Sequence, residues 1–122
     1  MKTPINIISK FDIVRVDLIN PAGKNGHEQA GLRPVIVISL CDNDPDNPMV
    51  TVIPFTGKLS KIRFPHTLVI EPSIQNGLST KSVLLVFQVV SIDKRRIIEK
   101  IGTLEETYVV SLHQLIRSML QI

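Results

Sequence analysis

Apolar stretches of strand length recur along the chain, separated by Pro, Gly and Asn, and only the last stretch switches to a helical repeat. Phe11 to Ile19 alternates, with Val14, Val16 and Leu18 set against Ile13, Arg15 and Asp17, the period of two that marks a strand. Pro34 to Leu40 and Met49 to Phe55 are runs rich in β-branched residues, Thr67 to Ile70 is a short fourth candidate, and Ser82 to Ile92 reads as one long strand. Ile97 to Ile101 adds an edge strand. Tyr108, Val109, Leu112, Leu115, Ile116 and Met119 then fall on one face of a helix over residues 104–121, with Thr103 and Glu106 in capping-box spacing at its start. Many short strands followed by one amphipathic helix predict a mainly β fold, a small curved barrel or sheet that the helix covers.

No repeat, low-complexity tract or linker interrupts the 122 residues, so the expectation is a single domain behind a short N-terminal extension, residues 1–10, able to bury roughly two thirds of its unfolded surface. Aromatic residues make up 4% of the chain and Trp is absent, so aliphatic side chains must build the core. Lys and Arg number 14 against 11 Asp and Glu, a formal charge of +3 that is compatible with a polyanionic partner. The lone Cys41 permits neither an intrachain disulfide nor a cysteine-rich metal site. No apolar run reaches the length of a membrane span or of a signal-peptide core. A cytoplasmic protein without cofactor or metal is expected.

Candidate chemistry concentrates in two places. Gly23, Gly26 and Gly31 bracket Lys24, His27, Glu28 and Gln29 in a polar connection that ends at Arg33, immediately before Pro34. The proline biases Arg33 toward extended backbone at a junction between loop and strand, where a side chain is held firmly and still reaches solvent. The second place is Thr56 at a strand end, followed by Gly57 and a segment carrying Lys58, Lys61 and Arg63 with no acidic residue before Pro65. Those three cations suit phosphate, as they also suit a solvated loop. Asp42 to Asn47 reads as a turn, His66 and His113 as structural histidines, and Lys94, Arg95 and Arg96 as either a cluster that lines the path of a polyanion or a solvated turn.

Four stretches in order, "GHEQAGLRPVIVIS", "VTVIPFTGK", "GLSTKSVLLVFQVVSIDKRRI" and "KIGTL", resemble the successive signatures of the MazF/PemK (Kid) toxins of bacterial toxin–antitoxin pairs. The resemblance implies a homodimeric barrel of the Src-homology-3-like, CcdB-like class. It also implies a metal-independent, sequence-selective endoribonuclease that cleaves single-stranded RNA, commonly mRNA, and is held inactive by a cognate antitoxin. Carried over position by position, Arg33 and Thr56 match the catalytic arginine and threonine, Glu28 a functionally important glutamate, His27 a histidine assigned acid/base work in the Kid branch, and Gln88 a glutamine near the RNA groove. Lys24, Gln29, Lys58, Lys61 and Arg63 join Gln88 as candidate RNA contacts.

The chain departs from the family at four positions. Phe87 stands where an acidic residue is usual, Leu85 where Kid-like members carry arginine, Val90 where many members are basic, and Gly57 where many have serine. These departures bear on substrate preference, and they keep open a second reading: a weakly active or inactive relative that serves as a binding module, directed at gyrase or at an antitoxin.

Overall fold

The computed structural model describes residues 8–18, 31–40 and 46–122. Among the described residues, seven strands and one α-helix follow in the order β1 (Asp12–Leu18), β2 (Gly31–Leu40), β3 (Met49–Thr56), β4 (Thr67–Ile70), β5 (Ser82–Leu85), β6 (Val90–Asp93), β7 (Ile97–Thr103) and α1 (Glu106–Leu120). All pairings are antiparallel, and five strands form the path β6-β3-β2-β1-β7. Its two terminal strands, β6 and β7, are consecutive in the chain and are joined by the three-residue 3-10 turn Lys94–Arg96. A twisted five-stranded path whose ends meet within one turn curls into the expected small barrel.

The curl explains a core to which α1 contributes no residue. Val14, Val16, Val35, Val37, Val50 and Val52 are almost wholly excluded from solvent together with Ile92 and Ile97, all drawn from the five strands of that path. The opposite face of the same strands carries Ile13, Ile36, Ile53 and Phe55, which pack with Ile70, Leu84 and Val86 under Val109 and Leu112 of α1. Alternation along β1, β2 and β3 thus feeds two cores, one inside the curl and one beneath the helix, with Tyr108, Leu115, Ile116 and Met119 at the margin of the second. The aliphatic composition makes both.

Three sequence expectations need correction. The stretch Ser82 to Ile92 is two strands, because Val86–Gln88 leaves the edge of β3 as a 3-10 turn. Phe55 pairs with Leu84 and Val52 with Val90, so between these pairs five residues on one side oppose two on the other. Pro54 lies in that interval and has no N–H to offer a neighbouring strand. Phe11 is no strand residue but takes a left-handed conformation, φ 71°, at the corner before β1, where its N–H donates to the Val37 carbonyl at 2.6 Å. Thr103 does not cap the helix. It is the last residue of β7, and its hydroxyl donates to the buried carboxylate of Asp12 at 3.0 Å, which also accepts from the Ser9 N–H and pairs with Lys100. Residue 105 occupies the cap position instead, and α1 ends with Gln121 in left-handed geometry.

The connection from β4 to β5 lies against β7. Gly77 has φ +73°, and a Cβ there would sit 1.9 Å from the Ile101 carbonyl oxygen, while a Cβ on Gly102 would meet the Asn76 carbonyl at 2.3 Å. Two backbones touch at a distance that only glycines permit. At the other end of β7 the Lys94–Arg96 turn is held by Asp93, whose carboxylate accepts from the Arg95 N–H at 2.8 Å and from its guanidinium at 2.9 and 3.1 Å. The hydrogen bonds from the Arg95 side chain and then its backbone hold Asp93 down to about 2, against an ordinary value of 3.8.

Gly77→Ala is expected to destabilise the fold by roughly 1–3 kcal/mol from the strained backbone alone, more where the neighbour must shift, read as a lower midpoint in chemical denaturation. The Asp93 contact contributes fully above the ordinary carboxylate value and is lost as pH falls through about 2. A carbon-13 NMR titration should therefore place the native midpoint near 2, and Arg95→Ala should return it toward 3.8.

Candidate functional site

Thr56 closes β3 and is 3% exposed, although it is polar and sits at a strand end. Its Oγ1 accepts from the Lys58 N–H at 3.2 Å, a local turn contact that fixes the side chain and leaves the hydroxyl hydrogen able to donate elsewhere. Arg33 lies inside β2 rather than at a loop junction, paired across the ladder with Val16 of β1. On its other side β2 runs beside β3 with Val35 opposite Pro54. Carrying that register two residues outward sets Arg33 beside Thr56, and both line one cleft of about 240 Å³.

The cleft has an apolar floor from Pro34, Phe55 and Ile101 and a hydroxyl-bearing wall from Ser79, Thr80 and Ser82, continued by Gly77 and Leu78. Apart from Ser82, the first residue of β5, that wall belongs to the β4–β5 connection and is positioned by Asn76, which is fully buried. The Asn76 Oδ1 accepts from the Ser73 and Leu78 N–H groups at 3.1 and 3.0 Å, and its Nδ2 donates to the Glu71 carbonyl at 2.8 Å and to Glu105 Oε1 at 3.1 Å. Ser73 Oγ donates to the other Glu105 oxygen at 3.1 Å. The Glu105 carboxylate at the start of α1 is thereby spent on the loop, in a position that also suits the positive end of the helix. The Gln75 carbonyl accepts from the Thr103 N–H at 2.9 Å, so wall, helix start and β7 form one unit.

Arg15, a side chain the alternation of β1 marks only as outward-facing, lines the same cleft. It pairs across the ladder with Pro34 on one side and Glu99 on the other, and its guanidinium donates to the Glu99 carboxylate. Sequence reasoning passed over Arg15, Ser79, Thr80 and Ser82 as site residues. Ser79, Thr80 and Ser82 stood within a quoted signature, but only the fold reveals that these four side chains share a cleft with Arg33 and Thr56.

The remaining candidates divide. His27, Glu28, Gln29 and Lys24 lie outside the described residues, as do Cys41 and the start of the 42–47 turn. Lys58 follows the cleft directly, whereas Lys61 and Arg63 belong to a 3-10 turn, Leu59–Arg63, and stack over the Phe64 ring at 5.4 and 4.9 Å from its centroid. Phe64 meets Phe87 at 5.7 Å, and Gln88 follows in the Val86–Gln88 turn, half-buried. These residues make a second surface of aromatic rings and cations rather than lining the cleft. Leu85 is fully buried and belongs to the core, while Phe87, Val90 and Gly57 are exposed. Of the basic triplet, Arg95 is held by Asp93, and Arg96 donates to the Asp17 carbonyl at 3.1 Å. His66 has φ 59° and offers its carbonyl to the Val86 N–H, and His113 packs beside Phe11. Among the described residues no three His, Cys, Asp or Glu side chains cluster as metal ligands, and no helix is long and apolar enough to cross a membrane.

The chain is 36% identical over 81 residues to Endoribonuclease MazF of Staphylococcus saprophyticus, an alignment spanning 66% of this chain and 67% of that one. The crystal structure of MazF from Deinococcus radiodurans superposes with a TM-score of 0.74 at 19% identity, covering 94% of this chain and 97% of the other. The MazE–MazF complex of the same organism gives 0.71 at 20% identity, covering 95% and 97%. Residues 9–120 match the model of the PemK-like, MazF-like toxins of type II toxin–antitoxin systems, and the chain belongs to that family.

Proposed function

We propose that the chain is a metal-independent, sequence-selective endoribonuclease that cleaves single-stranded RNA, mRNA above all, in the cytoplasm. A homodimer carries the activity, and a cognate antitoxin restrains it by covering the same surface. The observation that supports the reading is the meeting of Arg33 and Thr56 in one cleft, since cleaving RNA without a metal requires fixed donors around a phosphate. The family relationship and the endoribonuclease named among its relatives point the same way.

The ribose 2′-oxygen attacks the adjacent phosphorus, the bond to the departing 5′-oxygen breaks, and the products are a 2′,3′-cyclic phosphate and a 5′-hydroxyl. One group must accept the 2′-hydroxyl proton and another must give a proton to the leaving oxygen. Arg33 serves as the electrostatic stabiliser, because a guanidinium holds its proton at any physiological pH and its fork matches two phosphorane oxygens. Thr56 adds a hydrogen bond from a hydroxyl already held by the Lys58 N–H. Glu28 and His27 take the proton transfers in this reading, since an imidazole, whose unperturbed pKa is about 6.5, can act in either direction. Gln88, Lys58, Lys61, Arg63, Lys24 and Gln29 guide the strand toward the cleft.

Purified protein incubated with a long defined RNA in EDTA should give discrete cuts with cyclic phosphate ends. Arg33→Ala and Thr56→Val should each slow cleavage by roughly 10²–10³-fold with unchanged folding by circular dichroism. A folded, antitoxin-free protein that leaves a broad range of RNA sequences intact would overturn the proposal and favour the binding-module reading.

A further inference from the structure

We infer that Arg15 selects the base lodged beside the scissile phosphate, and that the base it selects is guanine. The inference rests on the ribonuclease reading above. Arg15 lines the cleft that holds Arg33 and Thr56, one strand away from Arg33 through its ladder partner Pro34. Its side chain is 44% exposed, and its partner Glu99 is 29% exposed.

The pairing decides what the guanidinium is suited to bind. A phosphate is recognised largely by net charge, and Arg15 and Glu99 together carry none. An arginine meant to grip the backbone of a polyanion gains nothing from a carboxylate at its side. A base edge is recognised by directional hydrogen bonds, and for that purpose the carboxylate helps, because it fixes the plane of the fork without using it up. One NH1 hydrogen bond reaches Glu99, and a guanidinium has five N–H donors.

The surroundings fit a base as well. Pro34, Phe55, Leu78 and Ile101 supply apolar surface for a ring, and Ser79 and Thr80 supply hydroxyls in the same cleft. Single-stranded RNA exposes its base edges, and a planar fork of two parallel donors meets the adjacent O6 and N7 acceptors of guanine, the commonest specific pairing of arginine. Arg33 and Thr56 attend to the phosphate while Arg15 reads its neighbour. Glu99 is a positioning residue.

The test is cleavage-site mapping on a randomised RNA library by wild type, Arg15→Ala and Arg15→Lys, with melting temperatures confirming that all three are folded. Wild type is expected to favour guanine at one position next to the cut by about 5- to 100-fold over other bases. Both variants should flatten that position while still cutting, and Arg15→Lys should do so although it keeps the charge, because lysine lacks the fork. Cutting by wild type with no guanine preference, or with a preference that both variants retain, overturns the inference and leaves the ribonuclease reading standing. A uniform loss of rate at all sites in Arg15→Ala, restored by Arg15→Lys and accompanied by a salt dependence shallower by about one charge, also overturns it, since that is the behaviour of a phosphate contact. Absence of cutting by wild type is the separate failure of the ribonuclease reading itself, and guanine-containing oligonucleotides binding wild type no better than Arg15→Lys in a filter assay would then overturn the inference as well.

Discussion

One edge of β3 serves two masters. Its first half pairs with β6 and belongs to the curl that encloses the valine-rich core, and its last two residues pair with β5, which sits beneath the helix. The interval between them contains Pro54, where a continuous neighbouring strand would find no donor. The surplus in the opposing chain turns outward as Val86–Gln88. From this follow the split between the two sheets, the place where Phe87 reaches the surface, and the end of β3 at which Thr56 is presented.

The cleft is built from parts of unequal firmness. Arg15 projects from a strand paired on both sides and Arg33 from one paired with β1, so the backbone beneath them is fixed by the ladder. The opposite wall is irregular chain, and irregular chain holds a shape only when its polar groups are satisfied from within. Asn76 performs that service, exchanging hydrogen bonds with Ser73, Glu71, Leu78 and Glu105 in a site closed to water. Asparagine is suited to the position because it offers donors and acceptors together without a charge to bury. The glycines at 77 and 102 let the wall come close enough to β7 for the Thr103 N–H to be satisfied there.

Much of the architecture was legible in advance, since alternation in β1 and the helical period of residues 108–119 record which faces are buried. The misreadings arose where a distant residue outweighed local preference. Nothing in "VLLVFQVV" reveals a break, because its residues are almost all apolar and the interval it faces on β3, with Pro54, is remote in sequence. The capping pattern at Thr103 was sound locally, but Asp12, remote in sequence, claimed the hydroxyl. For the site, Arg33 and Thr56 stood out through a resemblance to a family, whereas Arg15 looked like any outward-facing strand residue. Its meaning depends on Pro34 and Glu99 flanking it across two ladders, which only the register of the sheet discloses.

The pairing of β1 with β7 has a consequence in time. Asp12 and Thr103 are 91 residues apart, Arg15 and Glu99 are 84 apart, and yet each pair is in contact. Contacts of such sequence separation form late, since the chain must first pay the entropy of closing a very large loop. During synthesis the arginines of β1 and β2 leave the ribosome long before β7 and the start of the helix that brace the cleft. A growing chain therefore carries its charged residues without a place to use them, and the assembled cleft comes into being only when the last third of the polypeptide is available to close it.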